Sequence, residues 1–384
     1  MIENARNSRQ AAASASGVLD IDLSAITANW RHLRRLVAPA ACAAVVKADA
    51  YGTGLVEAGS ALAEAGCDTF FVAVPSEGVA LRAKCPGATI YVLNGLAAEQ
   101  GGLYRAHRLC PVLGSLAEIA EWRKALDGDA DRGPAALHID TGMNRLGLSL
   151  ADFASLMSAP PRRSLGFTLA LVMSHFVTSD NRDHPLNARQ IRVFEEVRAL
   201  CPDIPASLAN SSGIFLGRDA HHDLARPGYA LFGGNPTPRN ENPMRNVVTL
   251  LVPIVQLRDI AKGETVGYDA QWTANERRRI ATLSTGYADG YPRGASVSDA
   301  RLKAARPIAE AIIGGHRCPF VGRISMDLIT VDVTSLPRDT IKRGDPAILI
   351  GGELTVDEVG RRADTIGYEV LTRLGRRFDR RYRR

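Results

Sequence analysis

The sequence predicts an α/β fold in which a (β/α)₈ barrel of the TIM type is followed by a mostly β C-terminal domain. Between about residues 40 and 235, eight short apolar runs alternate with segments of helical periodicity. Continuous apolar strands that alternate with helices are typical of a parallel sheet, and eight such units favour closure into a barrel. After about residue 245, helical segments become rare and apolar runs follow one another across turns. A chain of 384 residues is long enough for these two domains.

The predicted barrel strands are, in order, AAVVKA, TFFVAV, TIYVLN, LCPVLG, AALHID, FTLALVMSHF, ASLAN and LARPGYALFG. Helical spacing is clearest in the intervening segments LVEAGSALAEAG, SLAEIAEWRKAL and LNARQIRVFEEVRAL. Before the first barrel strand, VLDIDLSAITANWRHL predicts a further strand and a helix, with Ser24 as the helix N-cap.

The β domain is predicted from VVTLLVPIVQL, RRIATLST, AEAIIGG, LITVDV and DPAILIG, with one helical pattern in TVDEVGRRA. The proline- and asparagine-rich stretch NPTPRNENPMRN is suited to a linker before this domain. We therefore expect a flexible arm at residues 1–17, the barrel at residues 18–240 and the β domain at residues 246–384. Residues 18–23 are candidates for pairing with the β domain.

Composition argues against several other classes of protein. No stretch of about eighteen apolar residues occurs, so no transmembrane helix and no membrane partner are expected. The N-terminal segment lacks the basic start and apolar core of a secretory signal, which indicates a cytoplasmic protein. The six cysteines are scattered without metal-ligand spacing, so we expect reduced thiols and no metal site.

The net charge of the chain is concentrated at its C terminus. The last twelve residues, RLGRRFDRRYRR, contain seven arginines and one aspartate and so carry +6, which equals the formal net charge of the whole chain. The remaining residues balance to zero, unlike the broad basic face that binds a nucleic-acid backbone. We interpret the segment as a solvated basic tail and expect no nucleic-acid partner.

Catalytic groups in such barrels lie at the C-terminal ends of the strands. Lys47 closes the first predicted strand. An isolated lysine at such a place is most simply a surface side chain that extends its amine to solvent. If it is held among apolar groups, its pKa falls and its lone pair can form a Schiff base with an aldehyde.

Other predicted strand ends also carry polar residues. They are Asp140 and Arg145 in HIDTGMNRLG, His175 in MSHF, Asn210 and Ser211 in LANSS, and Arg226 in ARPGYALFG. A lone histidine would more often be a satisfied core residue than a catalyst, but several such strand ends together indicate a site. The short helix predicted from Ser211 onward offers free N–H groups for a phosphate.

Several segments of the chain resemble the sequence motifs of one known family. The segment AVVKADAYGTG resembles the cofactor-lysine signature of alanine racemases, the fold type III enzymes that use pyridoxal phosphate. HIDTGMNRLG, SHF, ANSSG, ARPGYALFG, VGYDAQW, STGYADGYPRG, VGRISMD and GYEV each resemble a further block, in the family's order. The blocks span about residues 18 to 375, and their order and spacing make the resemblance specific.

The resemblance implies that Lys47 carries pyridoxal 5'-phosphate and serves as one of two catalytic bases. It also implies a set of further cofactor-binding residues: Tyr51, His175, Asn210, Ser211, Arg226, Gly228, Tyr229 and Tyr368. Arg226 is implied to contact the pyridine nitrogen. Because an arginine keeps its proton at ordinary pH, that nitrogen would stay unprotonated and the ring would be a weaker electron sink, which suits a racemase.

The second base is implied to be Tyr268, which without the resemblance would be interpreted as a surface aromatic of the β domain. Arg145 and the backbone N–H of Met326 are implied to hold the substrate carboxylate, and Tyr287 to narrow the entrance. In this family the β domain reaches the partner's barrel, so a homodimer with shared active sites is implied. The implied activity is an isomerase that interconverts L-alanine and D-alanine by a two-base mechanism on the pyridoxal-phosphate aldimine. It would supply D-alanine for peptidoglycan or serve alanine catabolism.

Two positions depart from the family pattern. His138 stands where the family often has a lysine that becomes carbamylated and steadies the arginine, and an imidazole cannot form that carbamate. We therefore expect activity to be independent of bicarbonate. Thr53 stands where the signature commonly has a histidine, and the sequence offers no physical account of this change.

Three alternatives to an alanine racemase stay open at the level of the sequence. The nearest is an amino-acid racemase of broader specificity, because the sequence does not determine the pocket volume. A fold type III decarboxylase of basic amino acids shares the two-domain plan, but its site commonly uses a cysteine where this chain has GYDAQW and ISMD. A non-catalytic carrier of pyridoxal phosphate would need neither the β domain nor Tyr268.

Overall fold

The computed structural model of the protein describes residues 16–126, 132–158 and 165–384. The chain divides into two compact units, a barrel unit of residues 24–245 and a β unit formed by the segment up to Leu23 together with Asn246–Arg384. Most of the arm expected at residues 1–17 lies outside the described residues. Strand β1 (Gly17–Asp22) therefore belongs to the β unit, and helix α1 (Leu23–Val37) follows it.

Helix α1 is amphipathic. Its buried side chains Ile26, Trp30, Leu33 and Val37 recur every three or four residues and so form one apolar face. The helix begins at Leu23, so the prediction that Ser24 is its N-cap is wrong: Ser24 already lies within the first turn, where its carbonyl accepts the Thr27 hydroxyl hydrogen bond.

The strands of the barrel unit are β2 (Ala41–Cys42), β3 (Ala44–Val45), β4 (Thr69–Val72), β5 (Thr89–Val92), β6 (Cys110–Leu113), β7 (Pro134–His138), β8 (Thr168–Met173), β9 (Ala206–Ser207) and β10 (Leu224–Ala225). Its further helices are α2 (Lys47–Gly52), α3 (Leu55–Glu64), α4 (Pro75–Arg82), α5 (Gly101–Ala106), α6 (Leu116–Ala125), α7 (Leu150–Ser158) and α8 (Pro185–Ala199). All eight predicted strand runs and the three predicted helices are present.

The barrel closes through hydrogen bonds on both sides of β10. Strands β3 to β9 form one seven-stranded parallel sheet. The N–H groups of Asp223 and Arg226 donate to carbonyls of the β9 segment, at Ala206 and Ala209. On the other side β10 pairs in parallel with β2, and the N–H of Val45 in β3 donates to the carbonyl of Pro227. Because β2 and β3 are parts of one run, the eighth strand meets the first.

The β unit contains β11 (Val248–Ile260), β12 (Thr265–Val266), β13 (Trp272–Thr273), β14 (Arg278–Leu283), β15 (Glu310–Ile313), β16 (His316–Pro319), β17 (Ile329–Asp332), β18 (Pro346–Ile350) and β19 (Phe378–Arg383). Its helices are α9 (Asp299–Lys303), α10 (Val356–Arg362) and α11 (Gly367–Thr372). The main sheet runs β16-β15-β18-β11-β1-β19, and β14 and β17 extend it from the far half of β11. A register shift between Ile254 and Gln256 bends β11, so its two halves pair with different strands.

The interpretation of the C-terminal segment as a solvated tail is wrong. Residues 378–383 form β19, which pairs in parallel with β1, and Phe378 is buried. Several of its arginines have carboxylate partners, as in the ion pairs of Arg377 with Asp289 and of Arg383 with Asp20. The strand was not predicted because its many arginines leave little of the alternation of apolar and polar residues by which strands are recognised.

All six cysteines lie within the described residues, where they are buried and form no disulfide. Among the described residues, no helix is both long enough and apolar enough to cross a membrane.

Candidate active site

Lys47 and Tyr51 lie on a left-handed turn at the mouth of the barrel. The four residues from Ala48 to Tyr51 all have φ between 52° and 55°, a conformation that costs a residue with a Cβ about 1–2 kcal/mol. Runs of this kind persist only where the surroundings hold them. The carboxylate of Asp49 accepts the N–H of Leu55 at 2.8 Å, which ties the turn to the start of α3.

Glu77 and Thr53 provide the other supports of this turn. One carboxylate oxygen of Glu77 accepts the N–H of Asp49 at 3.1 Å, and the other accepts the N–H of Ala73 at 2.9 Å. The turn is thereby joined to the end of β4. Thr53 is fully buried and its hydroxyl donates to the carbonyl of Ala50 at 2.6 Å. This bond gives the physical role of the residue that departs from the family signature.

Lys47 is half-buried and surrounded mostly by cations. Burial lowers the pKa of its amine, as do the positive charges of Arg145 and Arg226, whereas the carboxylate of Glu77 opposes this shift. A lowered pKa increases the fraction of neutral amine at a given pH. The side chain is therefore better suited than an ordinary lysine to form a Schiff base and to act as a base.

Arg226 follows β10 and is buried in the barrel mouth. Its guanidinium donates to the Ser207 hydroxyl and, at 2.6 Å, to the Ser174 carbonyl, and it lies 5.8 Å above the Phe71 ring. Burial lowers the pKa of Arg226 to about 9, which still leaves the group protonated at neutral pH.

Backbone N–H groups converge on Ser211. Its hydroxyl oxygen accepts the N–H of Gly228 at 3.0 Å and the N–H of Ala230 at 3.2 Å. A side chain at Gly228 would collide with Tyr51, because a Cβ would lie 2.3 Å from the Tyr51 hydroxyl oxygen. The Tyr51 ring is held by stacking on Phe232, at 5.0 Å between centroids. The hydroxyls of Tyr51 and Ser211 and the amides of Gly228 and Ala230 thus lie together, and these are groups of the kind that bind a phosphate.

Two further predicted residues lie next to this group of hydroxyls and amides. The amide oxygen of Asn210 accepts the N–H of Gly213 at 2.8 Å and the hydroxyl of Ser179 at 2.9 Å. Tyr229 is buried directly after Gly228. The helix predicted from Ser211 onward is a single 3₁₀ turn, Gly213–Phe215.

His138 and His175 stand at the ends of neighbouring strands. Burial, followed by the charges of Arg226 and Arg145, lowers the pKa of His138 to about 4 and that of His175 to about 3. Both imidazoles are therefore neutral at physiological pH. Gln190, which is buried, fixes the backbone beside His175 by donating to its carbonyl at 2.9 Å.

Arg145 is exposed and follows a turn that Asp140 organises. The carboxylate of Asp140 accepts the N–H groups of Gly142, Met143 and Asn144 at 2.8–2.9 Å. Asn144 itself has φ of 54°, which asparagine tolerates better than most residues. The turn therefore places Arg145 at the mouth of the barrel unit, where its charge acts on Lys47 and His138.

A second group of predicted residues lies in the β unit. The N–H of Tyr287 donates to the carbonyl of Ser325, and the N–H of Ala288 donates to that of Met326, so these two loops form one layer. The turn of Tyr268 packs on the same segment, since a Cβ on Gly267 would lie 3.0 Å from the nitrogen of Arg323. The segment 322–328 thus brings Tyr268, Tyr287 and Met326 together, with exposed fractions of 68%, 40% and 53%.

Tyr368 belongs to α11 and is also exposed. The chain after this helix is fixed to the loop of Tyr287: the N–H of Gly375 donates to the Asp289 carbonyl, and the Arg377 guanidinium donates to the buried Asp289 carboxylate at 2.7 Å. Arg377 also contacts the carboxylate of Asp327, next to Met326. One arginine therefore connects the loops of Tyr287 and Met326 with the end of α11.

Glu77 and Gln190 were not anticipated from the sequence. Glu77 occupies the third position of α4, where the glutamate of a capping box stands. Its carboxylate accepts the backbone N–H groups of Ala73 and Val74, as the glutamate of that motif does. The same carboxylate contacts Asp49, which is 28 residues earlier in the chain. No local pattern encodes such a distant contact.

Comparison with known proteins places this arrangement in one family. Residues 21–236 match the family described as alanine racemase, N-terminal domain, and residues 247–382 match alanine racemase, C-terminal domain. An alanine racemase of Methylobacterium nodulans is 54% identical over 372 residues, which are 97% of each chain. A catabolic alanine racemase of Mesorhizobium japonicum is 44% identical over 96% of this chain and 94% of its own.

A solved structure agrees with these relatives. The alanine racemase of Bartonella henselae with covalently bound pyridoxal phosphate has a TM-score of 0.88 at 37% identity, over 96% of this chain and 99% of that chain. The predicted fold class, a barrel followed by a mostly β domain, is confirmed. The chain belongs to the alanine racemase family.

Proposed function

We propose that this chain is a pyridoxal-phosphate-dependent isomerase that interconverts L-alanine and D-alanine. The observation that carries the proposal is the half-buried amine of Lys47, held on a strained turn with its pKa lowered, beside a converging set of hydroxyl and amide donors. A cofactor that carries both an aldehyde and a phosphate requires an amine and an anion-binding group at the same end of the barrel.

The residues present fit this cofactor. Lys47 would hold its aldehyde carbon. Ser211, Tyr51 and the backbone N–H groups around Gly228 and Tyr229 would hold the phosphate, with Tyr368 as a further hydroxyl donor. His175 and Asn210 lie at the ends of strands that line the same mouth. When bound, pyridoxal phosphate weakens the bond between Cα of an amino acid and its hydrogen.

Arg226 would face the pyridine nitrogen. A guanidinium with a pKa of about 9 keeps its proton at neutral pH, so it donates a hydrogen bond and does not protonate that nitrogen. We infer that this limits the withdrawal of electrons by the ring and so favours return of the proton to Cα over side reactions.

Racemisation needs a proton carrier on each face of Cα. Lys47 serves one face and Tyr268 the other: the deprotonated form of one removes the proton from Cα, and the protonated form of the other delivers a proton to the opposite face. The two residues exchange these roles when the reaction runs in the other direction. Arg145 and the N–H of Met326 hold the carboxylate of the amino acid, and Tyr287 narrows the entrance. These contacts fix the orientation of the amino acid, so that the hydrogen on Cα is the group presented to the two proton carriers.

Tyr268, Tyr287, Met326 and Tyr368 lie on the β unit as exposed side chains. Ile366 beside them is 62% exposed, which is unusual for an isoleucine that no other chain covers. We infer a homodimer in which the β unit of each chain completes the active site in the barrel of its partner.

The proposal is tested by assaying the purified protein for racemisation with a panel of L-amino acids. We expect alanine to be converted fastest, and Lys47→Ala to lose both racemisation and the lysine adduct that borohydride traps in the wild type. A comparable rate with bulkier amino acids would favour a broad-specificity racemase. Release of carbon dioxide from basic amino acids without racemisation would show a decarboxylase.

A further inference from the structure

The turn that carries Tyr268 has an unfavourable backbone. Gly267 has φ of 81°, Asp269 of 60° and Ala270 of 48°, so two residues with a Cβ lie in the left-handed region. Tyr268 itself is 68% exposed, and its ring is therefore not fixed by burial in its own unit. Contacts from outside the turn must select this backbone, since the local residues favour other conformations.

Arg323 supplies these contacts. Its guanidinium donates through Nη1 to the carboxylate of Asp269 and through Nε, at 3.2 Å, to the side-chain oxygen of Gln271. These two acceptors lie one and three residues after Tyr268. The planar guanidinium of Arg323 therefore binds both ends of the segment that follows the tyrosine. The carbonyl of Gln271 also accepts the N–H of Asp299 at 2.8 Å, which fixes the far end.

The backbones are in direct contact at the same place. A Cβ on Gly267 would lie 3.0 Å from the nitrogen of Arg323, and one on Gly322 would lie 2.5 Å from the carbonyl oxygen of Val266. Only glycine permits this approach. The turn therefore rests on the backbone of Arg323 itself, and Met326 follows only three residues later in the same loop.

We propose that Arg323 is a positioning residue for Tyr268, and that Asp269 is its partner in a clamp that sets the direction of the tyrosine hydroxyl. This inference rests on the proposed role of Tyr268 as the second base. Both members of the pair are partly exposed, with 30% and 61% of their side chains accessible. The pair therefore adds little to folding stability, and its effect lies in the conformation of the turn.

The test is a double-mutant cycle in the intact holoenzyme with Asp269→Asn and Arg323→Gln. Asparagine tolerates the left-handed conformation but removes the charge. We expect each variant to reduce kcat about tenfold with little change in KM, because a small displacement of a proton carrier slows the chemical step more than binding. The double variant loses no more than either single variant, and Arg323→Lys, which keeps the charge, recovers part of the rate.

A second readout does not depend on catalysis. Amide hydrogen exchange of residues 267–271 should become faster in both single variants, and to the same extent. The matched control is the partly exposed pair Arg361 and Glu358 on α10, joined at 2.8 Å in the same unit. Glu358→Gln with Arg361→Gln should leave both kcat and the exchange of this turn unchanged.

Several outcomes would overturn the inference. Wild-type kcat in Asp269→Asn or Arg323→Gln, together with an inactive Tyr268→Phe, refutes the clamp and leaves the proposed function intact. Losses that multiply in the double variant show that the two residues act independently. Full activity of Tyr268→Phe refutes the second base itself, and with it the reason for a clamp.

Discussion

The two histidines at the barrel mouth show how burial, together with neighbouring cations, keeps an imidazole uncharged. His138 lies where the family often has a lysine, yet its imidazole faces Arg226 and Arg145 and is buried. Its pKa of about 4 keeps it uncharged, so it adds no further positive charge beside Arg145. The neutral ring can be a hydrogen-bond acceptor, which is one of the properties that a carbamate would have offered.

The lowered pKa of His138 predicts a pH dependence of stability. In the unfolded chain the imidazole has its ordinary pKa of 6.5, so between pH 6.5 and about 4 the unfolded state binds more protons than the folded state. The free energy of unfolding is therefore unaffected by His138 above pH 6.5 and falls as the pH drops through this window. At pH 5 the loss is about 2 kcal/mol from this group.

Urea unfolding of wild type and His138→Asn at pH 7.5 and pH 5 measures this effect. The wild type should lose about 2 kcal/mol more than the variant between the two pH values, because asparagine does not titrate. Equal losses in both proteins would show that His138 is already protonated at pH 5 in the folded state.

At the scale of the element, the left-handed turn from Ala48 to Tyr51 determines where the cofactor groups point. It brings the Tyr51 hydroxyl so close to Gly228 that a methyl group there would lie 2.3 Å from the oxygen. Tyr51 is buried and stacked on Phe232, so it cannot move aside without losing that packing.

Gly228→Ala should therefore weaken cofactor binding while the chain still folds. We expect the dissociation constant of pyridoxal phosphate to rise at least about tenfold, the cost of losing one hydrogen bond to a charged group. Gly87→Ala is the matched control, because a Cβ there meets nothing within 4 Å. Unchanged affinity in Gly228→Ala, measured by fluorescence titration of the apoenzyme, would mean that Tyr51 does not contact the phosphate.

The regular elements were predictable from the sequence because each carries a strong periodic pattern. Lys47 and Arg226 could be proposed as site residues because each lies within two residues of the end of such a strand. The left-handed turn was not predictable, since nothing in the residues ADAY favours that conformation and it depends on the distant carboxylate of Glu77. Strand β19 was missed for a related reason: its pairing with β1, not its own pattern, makes it a strand.

At the scale of the whole molecule, the proposed site residues fall into two groups, one in each unit. Lys47 and Arg145 belong to the barrel unit, and Tyr268 and Met326 to the β unit. If each site joins the barrel of one chain to the β unit of the other, neither base can act without the partner chain. This arrangement predicts complementation between two inactive variants.

Lys47→Ala and Tyr268→Ala homodimers should each fail to racemise alanine, since every site lacks one of the two proton carriers. When the two variants exchange subunits, one site of each heterodimer carries both lesions and the other carries neither. Activity should return to about half of the wild-type value per heterodimer. Subunits with different tags allow the heterodimer to be isolated and its racemisation measured directly. A heterodimer that binds cofactor but stays inactive would place Lys47 and Tyr268 in the site of one chain, or exclude Tyr268 as the second base.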